Sequence, residues 1–179
     1  RPFETSTACA DLISQCFADT YSVPIEFPRF VNLVGPGDMN FSRIVPKVIK
    51  SVLSGKNPEL WDLHAVRDFL FIEDAIRGYL SLVEKDRPDE KRGNVMNFGS
   101  SKLVNIIDLA KTIIRLAGNQ DIEVKLPKVH EDRAQEIAKQ YVSIEKAKRE
   151  LNWEPIYSLD KGLEISLEWY KKYLSKSEN

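Results

Sequence analysis

Glycine is scarce in this chain. There are eight among 179 residues, and none falls in the G-x-G-x-x-G spacing that lets a strand-to-helix turn cradle a dinucleotide pyrophosphate. The closely spaced pair in "GPGD", Gly35 and Gly37, lacks that spacing and does not open a helix directly after a strand. Cysteine is nearly absent: Cys9 and Cys16 are the only two. Seven residues apart on a helix they would stand about 10 Å apart by rise, too far for a disulfide. They are therefore expected to be small packing residues in a reducing compartment. The two histidines, His64 and His130, have no metal-ligand spacing, so no metal site is expected. No excess of one charge is present either. The formal net charge of -1 argues against a general nucleic-acid binder. Apolar runs are only a few residues long, too short to span a bilayer, and no signal-peptide pattern is visible.

What is present is an ordinary globular balance, 42% hydrophobic and 30% charged, with enough chain for one domain or one and a half small ones. Residues 4–20 carry Cys9, Leu12, Ile13, Cys16, Phe17 and Thr20 at helical spacing. Val23 to Phe30 has strand character, with Pro28 removing one ladder donor and so predicting a local irregularity. A helix is expected from Ser42 to Leu53, with Pro46 in its first turn and Gly55 closing it. A short strand, Asp68 to Ile72, precedes a helix from Glu73 to Glu84. "DRPDEKRG" is expected to be a solvated loop and "NVMNFGSS" a strand and turn. "NIIDLAKTIIRLAG" is a helix with Asn105 as N-cap, Asp108 near a capping-box position and Gly118 at its end. "DIEVKLP" is expected to be a strand, and two serine-capped helices close the chain before a frayed tail. Alternating short strands and helices define an α/β class.

Four stretches in this order, "FETSTACADL", "RFVNLVGPGD", "VRDFLFIEDA" and "YVSIEKAKRELNWEP", carry a resemblance over nearly the whole chain. The sequence resembles the C-terminal half of an extended short-chain dehydrogenase/reductase, within the NAD-dependent nucleotide-sugar epimerases and 4,6-dehydratases. The resemblance implies the last part of a Rossmann-type parallel sheet domain at residues 1–37. It implies a small mixed α/β nucleotide-sugar-binding domain over 38–175 and a tail at 176–179. It also implies a cytoplasmic protein that binds a nucleoside-diphosphate sugar. NAD(P) is the family's cofactor, and binding by this chain alone is not expected, because the glycine loop lies upstream in the family. Arg1 suits a chain cut from something longer.

The family's catalytic Tyr-x-x-x-Lys pair falls on Phe3 and Thr7. Phe3 has no ionisable hydroxyl and Thr7 no charge, so neither can do the family's work of proton transfer and ribose binding. Ser6 and Asp11 match the surrounding pattern, which supports that register. Asn32 and Arg67 match positions that contact the substrate diphosphate, where a guanidinium fork suits paired phosphate oxygens. Val34 departs from a usual tyrosine. Asp68 is a candidate to orient Arg67, whose other reading is a structural ion pair with Asp68 or Glu73. Arg43, Glu136 and Gln140 complete the substrate-binding candidates. Trp61 and Trp153 are expected in the core. The first helix is also a candidate dimer contact through Leu12, Gln15, Cys16 and Asp19. Two readings stand: a fragment or catalytically altered member of the epimerase/dehydratase group, or a non-catalytic module that binds a nucleotide sugar or a protein partner. Whether the chain is an enzyme stays open between them.

Overall fold

The computed structural model describes residues 2–61, 63–84, 94–119, 121–126 and 137–177, the side chains of Phe3 and Ser177 excepted. Helix α1 (Pro2–Tyr21) leads into strand β1 (Glu26–Phe30), and an ion pair between Asp11 and Arg29 ties the two together. The expected apolar stripe of α1 does not face a core. Leu12, Ile13 and Phe17 are 65%, 59% and 52% exposed, while Ala18 is fully buried. Cys9 and Cys16 are exposed free thiols, which corrects their assignment as packing residues.

β1 pairs in parallel with β4 (Asn94–Phe98), as a parallel sheet strand should. Its start is later than expected, and Pro28 causes no break: the register runs unbroken from Glu26↔Asn94 to Phe30↔Phe98. The Val31 amide donates to the Phe98 carbonyl, so in this ladder odd-numbered residues point their N–H groups at β4. Pro28's missing donor therefore falls on the other edge, where it breaks nothing.

After β1 the chain moves to a second sheet. β2 (Asn32–Val34) lies parallel to β3 (Val66–Phe71), which also pairs antiparallel with β5 (Leu103–Asn105) and parallel with β6 (Lys139–Gln140). β3 is buried on both faces and its alternation separates two cores. Phe69 and Phe71 join Val48, Ile49, Val52, Leu109, Ile113, Leu163 and Tyr170. Leu70 instead joins Met96, Phe98, Ile144 and Trp153. The first core packs α2 (Ile44–Leu53), α4 (Ile106–Ala117) and α6 (Leu159–Ser177) on the sheet; the second uses α3 (Ile72–Glu84) and α5 (Glu145–Leu151). Each fully buried aliphatic side chain stabilises the fold by roughly 1.5–3 kcal/mol. No helix among the described residues is long and apolar enough to cross a membrane.

The helix punctuation follows local chemistry in most places, but the cap residue of α5 is Ile144, without a side-chain capping bond, and not the expected Ser143. Gly55 (φ +66°) and Gly118 (φ +77°) close α2 and α4 in the left-handed region, and the Ser158 hydroxyl accepts the Lys161 amide at 3.2 Å in the first turn of α6. Asn105 does occupy the cap position of α4, but its side chain makes no capping bond; it donates to the Asp108 carboxylate at 3.4 Å instead. The expected strand at 121–127 is reduced to one parallel bridge, Glu59↔Lys125. There Lys125 takes the Leu60 amide and donates to the Pro58 carbonyl, both at 2.9 Å. Without a longer neighbour to pair with, the alternating pattern has no ladder to join. "DRPDEKRG" and His130 lie outside the described residues.

Candidate functional site: a cationic cavity between the second sheet and α2

Two elements that are remote in sequence bring Asn32 and Arg67 together. β2 and β3 run parallel with Asn32 opposite Phe69, and on a strand residues 67 and 69 share one face. Asn32, Arg67 and Phe69 accordingly line one cavity of about 240 Å³, closed by Ser42 just before α2, by Ile44 and Lys47 at its start, and by Leu60 and Trp61. The Glu59↔Lys125 bridge holds the segment carrying Leu60 and Trp61 in place.

Arg67 is only 9% exposed. Its Nη1 donates to the Val66 carbonyl at 3.0 Å, which fixes the guanidinium against its own strand. The Asn32 Nδ2 donates to the Asp68 carbonyl at 3.0 Å; its Oδ1 has no partner among the described residues. Asp68, fully buried, turns its carboxylate away from the role of orienting Arg67. It accepts the Ser100 amide at 3.0 Å, the Ser100 hydroxyl at 2.5 Å and the Ser101 amide at 3.3 Å. Gly99 makes that cradle possible, since a Cβ there would meet Asp68 Oδ2 at 2.6 Å. Glu73, the other suggested partner of Arg67, accepts the Tyr157 hydroxyl. This hydrogen bond, foremost among its causes, raises the phenol's pKa.

The other sequence candidates divide. Gln140 is the register partner of Arg67 across β6 and β3, so it neighbours the site without lining the cavity. Arg43 points elsewhere: exposed at the cap of α2, its Nη1 donates to Asp38 at 3.2 Å. Glu136 lies outside the described residues. Phe3 and Thr7 stand one turn apart in the opening turns of α1, with Thr7 exposed. Trp153 is 1% exposed in the core as expected; Trp61 is not core but cavity wall, a correction.

Trp61, Ser42 and Lys47 were not legible as site residues. Only the position of Lys47, one turn after Ile44 on α2, was a usable sign, because it places a cation on the flank of an apolar face. The loop before α2 is pinned from the far end of the chain. The Tyr170 hydroxyl donates to the Asp38 carbonyl at 2.5 Å, and Phe41 packs with its ring centroid 6.3 Å from that of Tyr170. Burial, and then the nearby Asp38 carboxylate, push the Tyr170 phenol up to about 12. Among the described residues lining the cavity are two cations, Arg67 and Lys47, and no acid.

With this geometry in place, comparison with known proteins puts the chain among the extended short-chain dehydrogenases/reductases. Within that class the chain belongs to the family described as GDP-mannose 4,6 dehydratase, whose model matches residues 1–166. It is 27% identical over 176 residues to a dTDP-glucose 4,6-dehydratase of Xanthomonas campestris, covering 94% of this chain and 49% of that protein. Its fold matches dTDP-glucose 4,6-dehydratase from Bacillus anthracis, solved in complex with NAD, with a TM-score of 0.82 and 28% identity over 96% of this chain and 52% of that one. It also matches UDP-glucose 4-epimerase from Thermotoga maritima, solved with UDP-glucose, with a TM-score of 0.83 and 25% identity over 97% and 54% of the two chains. The chain spans about half the length of the curated relatives it matches.

Proposed function

We propose that this chain is the nucleotide-sugar-binding half of a family member whose proton-transfer pair has been replaced. The observation that carries the reading is the placement of Asn32 and Arg67, from different strands, in one cavity lined by cations and no described acid. A diphosphate fits that chemistry, because a guanidinium and an amide N–H supply charge-assisted and neutral donors to adjacent phosphate oxygens. Trp61 offers an aromatic face to a base or sugar ring. The Thermotoga maritima epimerase holding UDP-glucose supports this ligand class. NAD(P), the family's cofactor, finds neither its glycine loop nor its ribose-binding lysine within these 179 residues. Exposed free thiols at Cys9 and Cys16 suit a cytoplasmic setting.

Calorimetry on the full-length protein with UDP-, CDP-, GDP- and dTDP-sugars tests the site. A charge-assisted hydrogen bond contributes about 1.5–3 kcal/mol, so Arg67→Ala is expected to weaken binding by roughly 10- to 100-fold. Equal affinity in the variant would remove Arg67 from the site.

The exposed stripe on α1 favours a second component of the proposal, a homodimer through that helix. Leu12 and Cys16 on its exposed side are available to a partner copy. Leu12→Arg is expected to convert a dimer to a monomer in light scattering; a monomeric unmodified protein at micromolar concentration would end that part of the reading.

A further inference from the structure

We propose that Lys47 is the residue that makes this cavity discriminate a nucleoside diphosphate from the monophosphate, by supplying a second cation for the second phosphate. The inference rests on the nucleotide-sugar reading above and goes beyond it in assigning the selectivity to one side chain on α2. Lys47 lines the same cavity as Arg67 and Asn32. Its ammonium has no hydrogen bond or ion pair among the described residues. The neighbouring cation on this loop, Arg43, is already neutralised by Asp38 at 3.2 Å, and Lys50, one turn along, is engaged over the Phe41 ring at 4.5 Å. Lys47 is therefore the cation of α2 that remains available to a ligand in the cavity.

Helix electrostatics sharpen the point. The first turn of a helix carries the positive end of the macrodipole and favours acidic side chains. The first turn of α2 has no acid, its cap residue Arg43 makes no side-chain capping bond, and Lys47 follows directly. Positive charge thus accumulates where the helix itself disfavours it, on the wall of a cavity whose other charged described residue is Arg67. An anion in the cavity gives the Lys47 ammonium a counter-charge. A monophosphate can satisfy the Arg67 fork alone; a diphosphate offers oxygens to Arg67 and to the ammonium, which binds phosphate as a point charge without a fixed geometry.

The test is calorimetry on the full-length protein with UDP and UMP, and likewise the dTDP/dTMP, GDP/GMP and CDP/CMP pairs, comparing unmodified protein, Lys47→Met and Lys47→Arg. Lys47→Met is expected to weaken diphosphate binding about tenfold and monophosphate binding less than twofold, while Lys47→Arg keeps most of the discrimination. The thermal midpoint of ligand-free Lys47→Met should equal or exceed that of the unmodified protein, because the substitution removes a cation from the helix N-terminus. Should that variant fold poorly, Lys47→Gln, which removes the charge but keeps a polar side chain, is compared on the same ligand pairs with the same expected loss. Undiminished diphosphate affinity in Lys47→Met, or equal losses for both ligands, would overturn the assignment and leave the nucleotide-sugar site standing. Failure of the unmodified protein to bind any of the nucleotides would overturn both.

Discussion

Single residues carry the chemistry of this chain, and several are placed by partners far away in sequence. Asn32 is held by the Asp68 carbonyl, while the Asp68 carboxylate fastens the turn at Ser100 and Ser101. Asn32 and Arg67 were paired in the sequence by the resemblance alone, and the fold sets both on the wall of one cavity. The role of Asp68 was not legible, since the two serines that take its carboxylate arrive from another strand. Trp61 was misread for a similar reason: an indole beside leucine looks like core until the bridge to Lys125 turns its segment toward the cavity. Tyr170 yields a prediction at this scale. Its phenol, ordinarily near 10.0, is raised to about 12 in the fold. The folded state therefore holds this proton longer than the unfolded one, so the contribution is complete below pH 10 and is lost as pH rises toward 12. Tyr170→Phe is expected to lower stability at neutral pH by about 1 kcal/mol through the lost hydrogen bond, and to flatten the decline above pH 10. Urea denaturation at a series of pH values checks it; an unchanged alkaline slope would contradict it.

Elements divide by length in how well their sequence announced them. The long helices were readable, because an apolar period sustained over three or more turns has few alternatives, and Gly55 and Gly118 marked their ends. β5 and β6 are three and two residues long, too short for any alternation to register, and they exist only because β3 offers both its edges. Residues 121–127 alternate well, yet they meet a partner at one position only. In α1 the period was read correctly and the burial was not, since periodicity reports that a helix has an apolar face and not what covers it. The resemblance aligns Phe3 and Thr7 of the same helix with the family's acid–base pair, an alignment that activity measurements test. With Phe3 and Thr7 at those positions and no dinucleotide glycine loop in its 179 residues, this chain by itself is expected to show no oxidoreductase turnover on nucleotide sugars; losing a positioned general base alone costs roughly 10²–10⁴ in rate. In a full-length protein that carries a dinucleotide loop, Phe3→Tyr combined with Thr7→Lys should raise turnover. Family-like rates without those changes would mean that another residue supplies the base.

At the scale of the molecule, two small sheets share the buried strand region around β3 and β4, and the α/β class followed directly from the alternation of elements. How the chain leaves the first sheet at Val31 and enters the second at Asn32 was beyond sequence reasoning, because strand pairing is settled by contacts between segments that no local pattern encodes. That crossing is what sets Asn32 beside β3 and builds the cavity with α2. The central claim is that a nucleoside-diphosphate sugar sits there. Hydrogen–deuterium exchange on the full-length protein tests it most directly, with and without a saturating amount of whichever nucleotide sugar calorimetry ranks tightest. The expected result is slowed exchange concentrated at residues 32–34, 42–47, 60–61 and 65–69, with the outer faces of α4 and α6 unchanged. Protection elsewhere, with these segments unaffected by the ligand, would contradict the account.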